Sequence, residues 1–394
     1  MKAERKQRWL MLTVMAVSLV QMGAVLYTPV LAPIALGFQE NGSFLAQTLP
    51  AAVSLGVICA GGAAERLCQK GLYRPAILSG GALFAAGGLL SWKYFFSFGW
   101  LLAGAVLSGI GVGLVCPAAV GLITGFFQGE EKQRAIGLQS MAAYLGAMLL
   151  IVLGGYLADH FHWRFAFLAS LLIIPGLLLA GLTLPAEVGS EGDKAKADSP
   201  VPQTAFRENS RKSLAGVLGI VFLISGLSGI TSSNLSMLIT AAGLGGFAQA
   251  SAAGFCVLAG AAVAAAFFAK LCLVLKNYLL PAGFGLLAAG QLLCGWGSSL
   301  PAIYMGSLLA GGALGTVIPY LFLAAADCGK TEGRSNAGAV MIVSNLGAVL
   351  PPLFTFLLSA AGSQEVSLRY IVSAVIAGAA VLLLLLPGRL NMAG

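Results

Sequence analysis

Acidic and basic side chains stand next to one another in a short polar segment between two apolar stretches. The segment begins at Gly61 and runs through Glu65 and Arg66 to Lys70. A carboxylate in such a place can cap the N-terminus of a helix and pair with a base across the loop. We therefore expect these residues to make electrostatic contacts between segments, without reacting with a substrate.

Hydroxyl and amide groups inside apolar stretches form a second set of side chains that could bind a ligand. Ser225, Ser228, Ser232 and Ser236 recur at helical spacing, with Asn234 nearby. That spacing places the serines along one stripe of a helix. They would hydrogen-bond a ligand, or alternatively bond backbone carbonyls of their own helix and hold helices together. The sequence leaves both interpretations open.

Ser18, Gln21 and Thr28 share one face of another apolar stretch by the same spacing argument. Further uncharged polar groups lie at Gln139, Tyr144, Tyr320 and Asn345. A few such groups among apolar and aromatic side chains are typical of a site for a small organic molecule.

Metal and enzyme sites are not expected. Asp159, His160 and His162 would supply an acid and two imidazoles to a metal, but a polar turn at the surface is the favoured interpretation. Neither a Cys-x-x-Cys pair nor a His-Glu-x-x-His sequence occurs, and the apolar stretches contain no paired aspartates. We therefore predict that the protein is not an enzyme and uses no cofactor.

The composition places the chain in a membrane. Of its 394 residues, 58% are apolar and only 9% are charged, and the mean hydropathy is +0.92. Soluble domains carry about 25% charged residues. The net charge of +8 comes from basic residues in short loops, so nucleic acid is not an expected partner and the lipid bilayer is.

Twelve apolar stretches are long enough to cross a bilayer, which takes about 20 residues each. We predict an all-α membrane protein with helices near 10–34, 44–64, 75–92, 99–126, 135–158, 165–184, 214–240, 248–269, 279–297, 302–326, 337–360 and 368–386. The long polar segment 185–213 divides them into six and six. The predicted domains are a first half over 1–184, a linker over 185–213 and a second half over 214–394.

The two halves repeat one another in the same direction. Gly109, Gly113 and Pro117 correspond to residues 202 positions later, and Leu145-Gly146-Ala147 recurs 201 positions later. Parallel repeats of this size in a very apolar chain are typical of one large transporter architecture. The sequence therefore predicts two parallel six-helix repeats.

Lysine and arginine counts give the orientation. The side that carries the N-terminus and the linker receives nineteen, and the other side receives only Lys93, Arg164 and Arg369. Basic loops face the cytoplasm. We predict a multi-pass protein of the cytoplasmic (inner) membrane with both termini inside the cell.

The segment from Gly61 to Lys70 resembles the cytoplasmic loop signature of the major facilitator superfamily. Gly61, Glu65, Arg66 and Lys70 match that signature, whereas Cys68 stands where a second glycine is usual. The resemblance implies that these four residues form a conformational latch. It also implies that the first, fourth, seventh and tenth helices line a central cavity, with Gln21 and the serine stripe facing each other across it.

The segment from Gly154 to Arg164 resembles the end of the fifth helix in bacterial drug exporters of that superfamily. Those exporters usually carry Gly-Pro where Leu150 and Ile151 stand, and an arginine where Gly104 stands. These departures weaken a proton-antiport interpretation, and Asp159 is the best remaining acid for coupling.

The predicted spans hold no charged residue deep within them. Buried charge is costly and is kept for charged substrates or ions. We therefore expect a secondary transporter that moves a small neutral or amphipathic organic solute by alternating access, with multidrug efflux favoured and a proton or other ion as a coupling partner if any. An uptake facilitator or symporter, and a non-transporting receptor on the same fold, remain alternatives. We expect a monomer.

Overall fold

The computed structural model describes residues 2–30, 34, 42–184, 210–245, 247–297, 299–328, 336–348, 351, 354, 357–358 and 365–385. Within these ranges every regular element is helical. The side chains of 2–8, 28–29, 42–47, 159, 210–213, 236–237, 240–241, 247–248, 251 and 327–328 are outside the description.

The longer α-helices of the described residues are α1 (Lys2–Ser18), α2 (Gly42–Gln69), α3 (Tyr73–Lys93), α4 (Phe98–Phe126), α5 (Gly129–His160), α6 (Ile174–Thr183), α7 (Ser210–Ala241), α8 (Phe247–Ala266), α9 (Leu279–Trp296), α10 (Leu300–Cys328), α11 (Ala337–Gly347) and α12 (Val366–Leu385). A 3-10 segment, Gly23–Val30, follows α1, and another, Trp163–Ile173, leads into α6. A short helix, Phe268–Leu275, precedes α9.

Each predicted apolar stretch overlaps one of these helices. In the described part of the chain, nine helices are long and apolar enough to cross a membrane, and three shorter apolar helices lie at Trp9–Ser18, Ala252–Ala266 and Ala337–Gly347. Helices are favoured in lipid because they satisfy their own backbone groups. The all-helical fold is confirmed, and the count of twelve crossings stays a prediction.

The fifth helix begins earlier than its apolar stretch indicates. The stretch predicts a start near residue 135, but α5 begins at Gly129. Its first turn contains Glu130 and Glu131, and acidic side chains stabilise the positive end of the helix dipole. A helix start predicted from the apolar residues alone leaves this charged first turn out.

The chain forms two compact units that follow the predicted halves with two exceptions. The first unit contains 1–135, 142–201 and 329–345, and the second contains 136–141, 202–328 and 346–394. The predicted linker over 185–213 lies almost wholly outside the described residues. The predicted domain boundaries therefore stay a prediction.

Glycines let the backbones of α2 and α4 meet in the first unit. A Cβ at Gly109 would overlap the carbonyl oxygen of Val53, and one at Gly113 would stand 2.8 Å from that of Val57. Small residues at a four-residue spacing allow this close approach in membrane helices. The glycine pair therefore sets the distance between the two helices.

The second unit repeats this arrangement between α8 and α10. A Cβ at Gly311 would overlap the carbonyl of Val257, and one at Gly315 would overlap that of Ala261. The glycines of the sequence repeat thus make equivalent helix contacts in both units.

Candidate functional site

Gln21 joins the first helical segment to α4. It lies just after α1, and its side-chain amide Nε2 donates a hydrogen bond to the Sγ atom of Cys116. Cys116 is fully buried, whereas Gln21 is half-buried. The amide thus lies at the edge of the first unit's core, and its cysteine partner gave no signal in the sequence.

The serine stripe of α7 is divided by burial. Ser228 is buried and Ser225 is half-buried, but Ser232 is exposed. The Ser232 hydroxyl lies 3.4 Å from the backbone carbonyl of Ser228. The side chain of Ser236 is outside the described residues. Ser232 is therefore the most exposed of the described serines of this stripe.

Asn234 is engaged inside the second unit. Its amide nitrogen donates to the carbonyl of Ile230 at 2.9 Å, and its Oδ1 accepts a hydrogen bond from Arg369 at 2.8 Å. Both residues are buried. These bonds give Asn234 a role in joining α7 to α12.

Arg369 is buried although it is charged. It lies at the end of the predicted span 368–386, and the structure places it in the first turn of α12, where it is only 5% exposed. A guanidinium can be buried where neighbouring polar groups accept hydrogen bonds from its N–H groups. Asn234 on α7 supplies one such acceptor, although it lies 135 positions before Arg369 in the sequence.

Gln291 and Tyr370 extend this polar contact to α9. Gln291 donates to the Leu227 carbonyl at 2.9 Å and lies 3.1 Å from the Thr231 hydroxyl, while the Tyr370 hydroxyl donates to the Thr231 carbonyl at 2.9 Å. Neither residue is among the site residues predicted from the sequence. The amide of Gln291 within an apolar stretch is the sequence feature that could have indicated this contact.

The other predicted ligand-binding residues are distributed over both units. Tyr144 in the first unit and Gln139 in the second are buried, whereas Tyr320 and Asn345 are half-buried. Asn345 donates to the carbonyl of Met341 at 2.9 Å. The side chains of Thr28 and Asp159 lie outside the described residues, so their predicted roles stay predictions.

The end of α2 packs against the first turn of α11 within the first unit. Glu65 is close to Gly338, because a Cβ there would stand 3.1 Å from the Glu65 Oε2 atom and 3.0 Å from the Gly61 carbonyl. The positive end of the α11 dipole favours this carboxylate. Arg66 and Lys70 are exposed. Glu65 thus occupies the place that a helix-capping acid requires.

The histidine-containing turn is built from local and aromatic contacts. His160 lies 3.0 Å from the Tyr156 carbonyl, and the Nδ1 atom of His162 accepts from the backbone of Arg164 at 3.3 Å. Among the described residues, no three His, Cys, Asp or Glu side chains are grouped as metal ligands.

A parallel repeat of apolar helices is typical of a membrane transporter. A family model for the Major Facilitator Superfamily matches residues 13–350. The chain belongs to the Major Facilitator Superfamily, and it is a multi-pass membrane transporter and not an enzyme.

Two curated relatives are drug-resistance proteins, each similar over a short segment. The methyl viologen resistance protein SmvA of Salmonella typhimurium is 30% identical over 112 residues, which are 28% of this chain and 22% of SmvA. The quinolone resistance protein NorB of Staphylococcus aureus is 27% identical over 73 residues, which are 18% of this chain and 16% of NorB. The match therefore spans about a fifth of their length.

Solved structures share the fold over nearly the whole chain. The human organic anion transporter MFSD10 (TETRAN) has a TM-score of 0.73 at 20% identity, covering 96% of this chain and 99% of its own. The proton:xylose symporter XylE has a TM-score of 0.71 at 13% identity, covering 95% of this chain and 94% of its own. At these identities the likeness concerns the fold alone.

Proposed function

We propose that this protein exports a small neutral or amphipathic organic solute across the cytoplasmic membrane by alternating access, with both termini inside the cell. The drug-resistance relatives support export, within the short segments that they match. A delocalised organic cation is compatible with the same chemistry.

One observation carries the proposed substrate class. The spans of α4, α7 and α10 within 98–126, 214–235 and 300–326 contain no charged residue, and neither does the segment 9–30. These are the helices that the superfamily resemblance assigns to the cavity. A small inorganic anion would need a fixed cation there. The hydroxyl and amide groups of Gln21, Ser232 and Tyr320 suit an uncharged ligand better.

Gln21 provides the test of the substrate site. We expect Gln21→Met, which removes the amide and keeps the volume, to raise the Kd of an identified ligand about fivefold, since one hydrogen bond contributes about 1 kcal/mol. Methyl viologen and a quinolone are the first compounds to screen by thermal shift, followed by titration calorimetry.

Cys116→Ala is the matched control, because it removes the partner of the amide and leaves the amide itself. We expect it to change Kd less than twofold. If both variants weaken binding equally, Gln21 acts through helix packing and is not a ligand contact.

We also propose that Gly61, Glu65, Arg66 and Lys70 form the conformational latch. The support is the placement of the Glu65 carboxylate beside the first turn of α11. Its attraction to the helix dipole would stabilise the state in which this contact is made. Any ion coupling would then use a group outside the latch, and Asp159 remains the proposed candidate.

A further inference from the structure

Aromatic side chains are concentrated at one end of the first unit. The turn between α3 and α4 and the turn after α5 supply them, and they are Trp92, Tyr94, Phe95, Phe96, Trp100, Tyr156, Phe161, Trp163 and Phe165. We call this set the aromatic patch. Tyr94 stacks on Trp100 at 5.1 Å, and Phe95 meets Trp163 edge-on at 5.5 Å. The two turns therefore form one surface.

Arg164 lies within this patch, over two rings. Its guanidinium carbon is 4.9 Å from the centroid of Phe95 and 5.1 Å from that of Phe165. Ring faces attract the cation and restrict its plane. The Nζ atom of Lys93 lies 5.5 Å from the ring of Tyr94. Two of the three basic residues that we assign to the outer side are therefore in this patch.

Two rings of the aromatic patch are largely exposed, and they lie where four candidate membrane spans begin or end. Phe96 is 67% exposed and Phe161 is 68% exposed. The spans Tyr73–Lys93 and Gly129–Ala158 end here, and Phe98–Phe126 and Trp163–Thr183 begin here. Exposed rings at this level contact the interface of the bilayer. The anions that a bilayer offers at that depth are lipid phosphates.

The second half uses its outer-side basic residue differently, which sets the patch apart from a general interfacial belt. Arg369 is only 5% exposed and donates to Asn234, whereas Arg164 is half-buried and Lys93 is exposed. The segment between α9 and α10, residues 297–299, contains no lysine or arginine. A belt that only set membrane depth would be needed equally in both halves.

We propose that Arg164 and Lys93, on the aromatic patch, bind the phosphate of an anionic phospholipid in the leaflet at this end of the first unit. Arg164 would bind two phosphate oxygens with its planar group, and Lys93 would add a second positive charge. The rings Phe96 and Phe161 would lie against the acyl region beside the headgroup.

Native mass spectrometry of the protein reconstituted in mixed phosphatidylglycerol and phosphatidylcholine tests this proposal. We expect wild type to retain phosphatidylglycerol preferentially and Arg164→Gln to reduce that retention about tenfold, as for loss of a charge-assisted bond. Arg164→Lys should fall between them, and Lys276→Gln, at an exposed base in the second unit, should match wild type.

Equal retention of both lipids by wild type, or of phosphatidylglycerol by wild type and Arg164→Gln, would overturn the proposal. Displacement of the lipid by millimolar inorganic phosphate would show that free phosphate is the ligand and would overturn the choice of lipid. Each variant is first checked for a monodisperse size-exclusion profile.

A second experiment keeps Arg164 unchanged, so that misfolding of an Arg164 variant cannot explain its result. In Trp9→Phe/Trp296→Phe, the three remaining tryptophans lie in or beside the patch. Brominated phosphatidylglycerol should quench their fluorescence more strongly than brominated phosphatidylcholine at equal mole fraction. Equal quenching would contradict a specific phosphate site.

Discussion

Gly311→Val is expected to cause a large loss of monodisperse folded protein, because the first added carbon already overlaps the Val257 carbonyl on α8. Overpacking costs about 1–3 kcal/mol or more when backbone must move. Gly109→Val should have a similar effect, because its Cβ would overlap the Val53 carbonyl on α2. Fluorescence-detected size exclusion and a thermal melt measure the result.

The neighbouring glycine supplies the control. A Cβ at Gly312 meets nothing within 4 Å, so Gly312→Val should retain the wild-type yield. Gly125→Val is the corresponding control on α4, where the space is also open. Equal losses at Gly311 and Gly312 would show that helix propensity, and not the close approach of α8 and α10, determines the effect.

Glu65→Gln is expected to slow transport about 5- to 30-fold while leaving ligand Kd within twofold, since a dipole and charge contact of about 1–2 kcal/mol shifts a conformational equilibrium by that factor. The carboxylate lies beside the first turn of α11 and far in sequence from the proposed ligand groups. Arg66→Ala should act in the same direction. Initial flux rates and equilibrium titration measure the two quantities separately.

Glu131→Gln is the matched control for Glu65, because Glu131 is an exposed acid in the first turn of α5. It should leave both flux and Kd unchanged. Loss of equilibrium binding in Glu65→Gln, with the distribution of conformations unaltered, would assign Glu65 to the substrate site and refute the latch.

The helices and their close contacts were predictable because they depend on local composition. Apolar length determined which segments become helices, and the spacing of Gly109 with Gly113 indicated a close-packed face before any contact was known. The repeat then assigned Gly311 and Gly315 to the same task. The first two inferences need only the residues of a single apolar stretch, whereas the third compares two stretches 202 positions apart.

The side-chain partners were much less predictable, because they depend on tertiary contacts. For Arg369 the sequence indicated only the side of the membrane and not burial, since its partner Asn234 lies in another helix far along the chain. Nothing in the sequence pointed to Cys116, which accepts a hydrogen bond from the Gln21 amide. Tryptophans near helix ends are typical of an interfacial belt, but the placement of Arg164 over Phe95 and Phe165 required the fold.

Solute flux in proteoliposomes, with and without an imposed pH gradient, tests the central claim most directly. We predict saturable, protein-dependent flux of an identified ligand, with a rate that changes less than twofold when the gradient is imposed, because no acid is assigned to the proposed site. Gradient-driven uphill transport that Asp159→Asn abolishes would instead place coupling at the end of α5. A ligand that binds with micromolar affinity but shows no flux above that of protein-free liposomes would contradict the account, since the protein would then act as a receptor on a transporter fold.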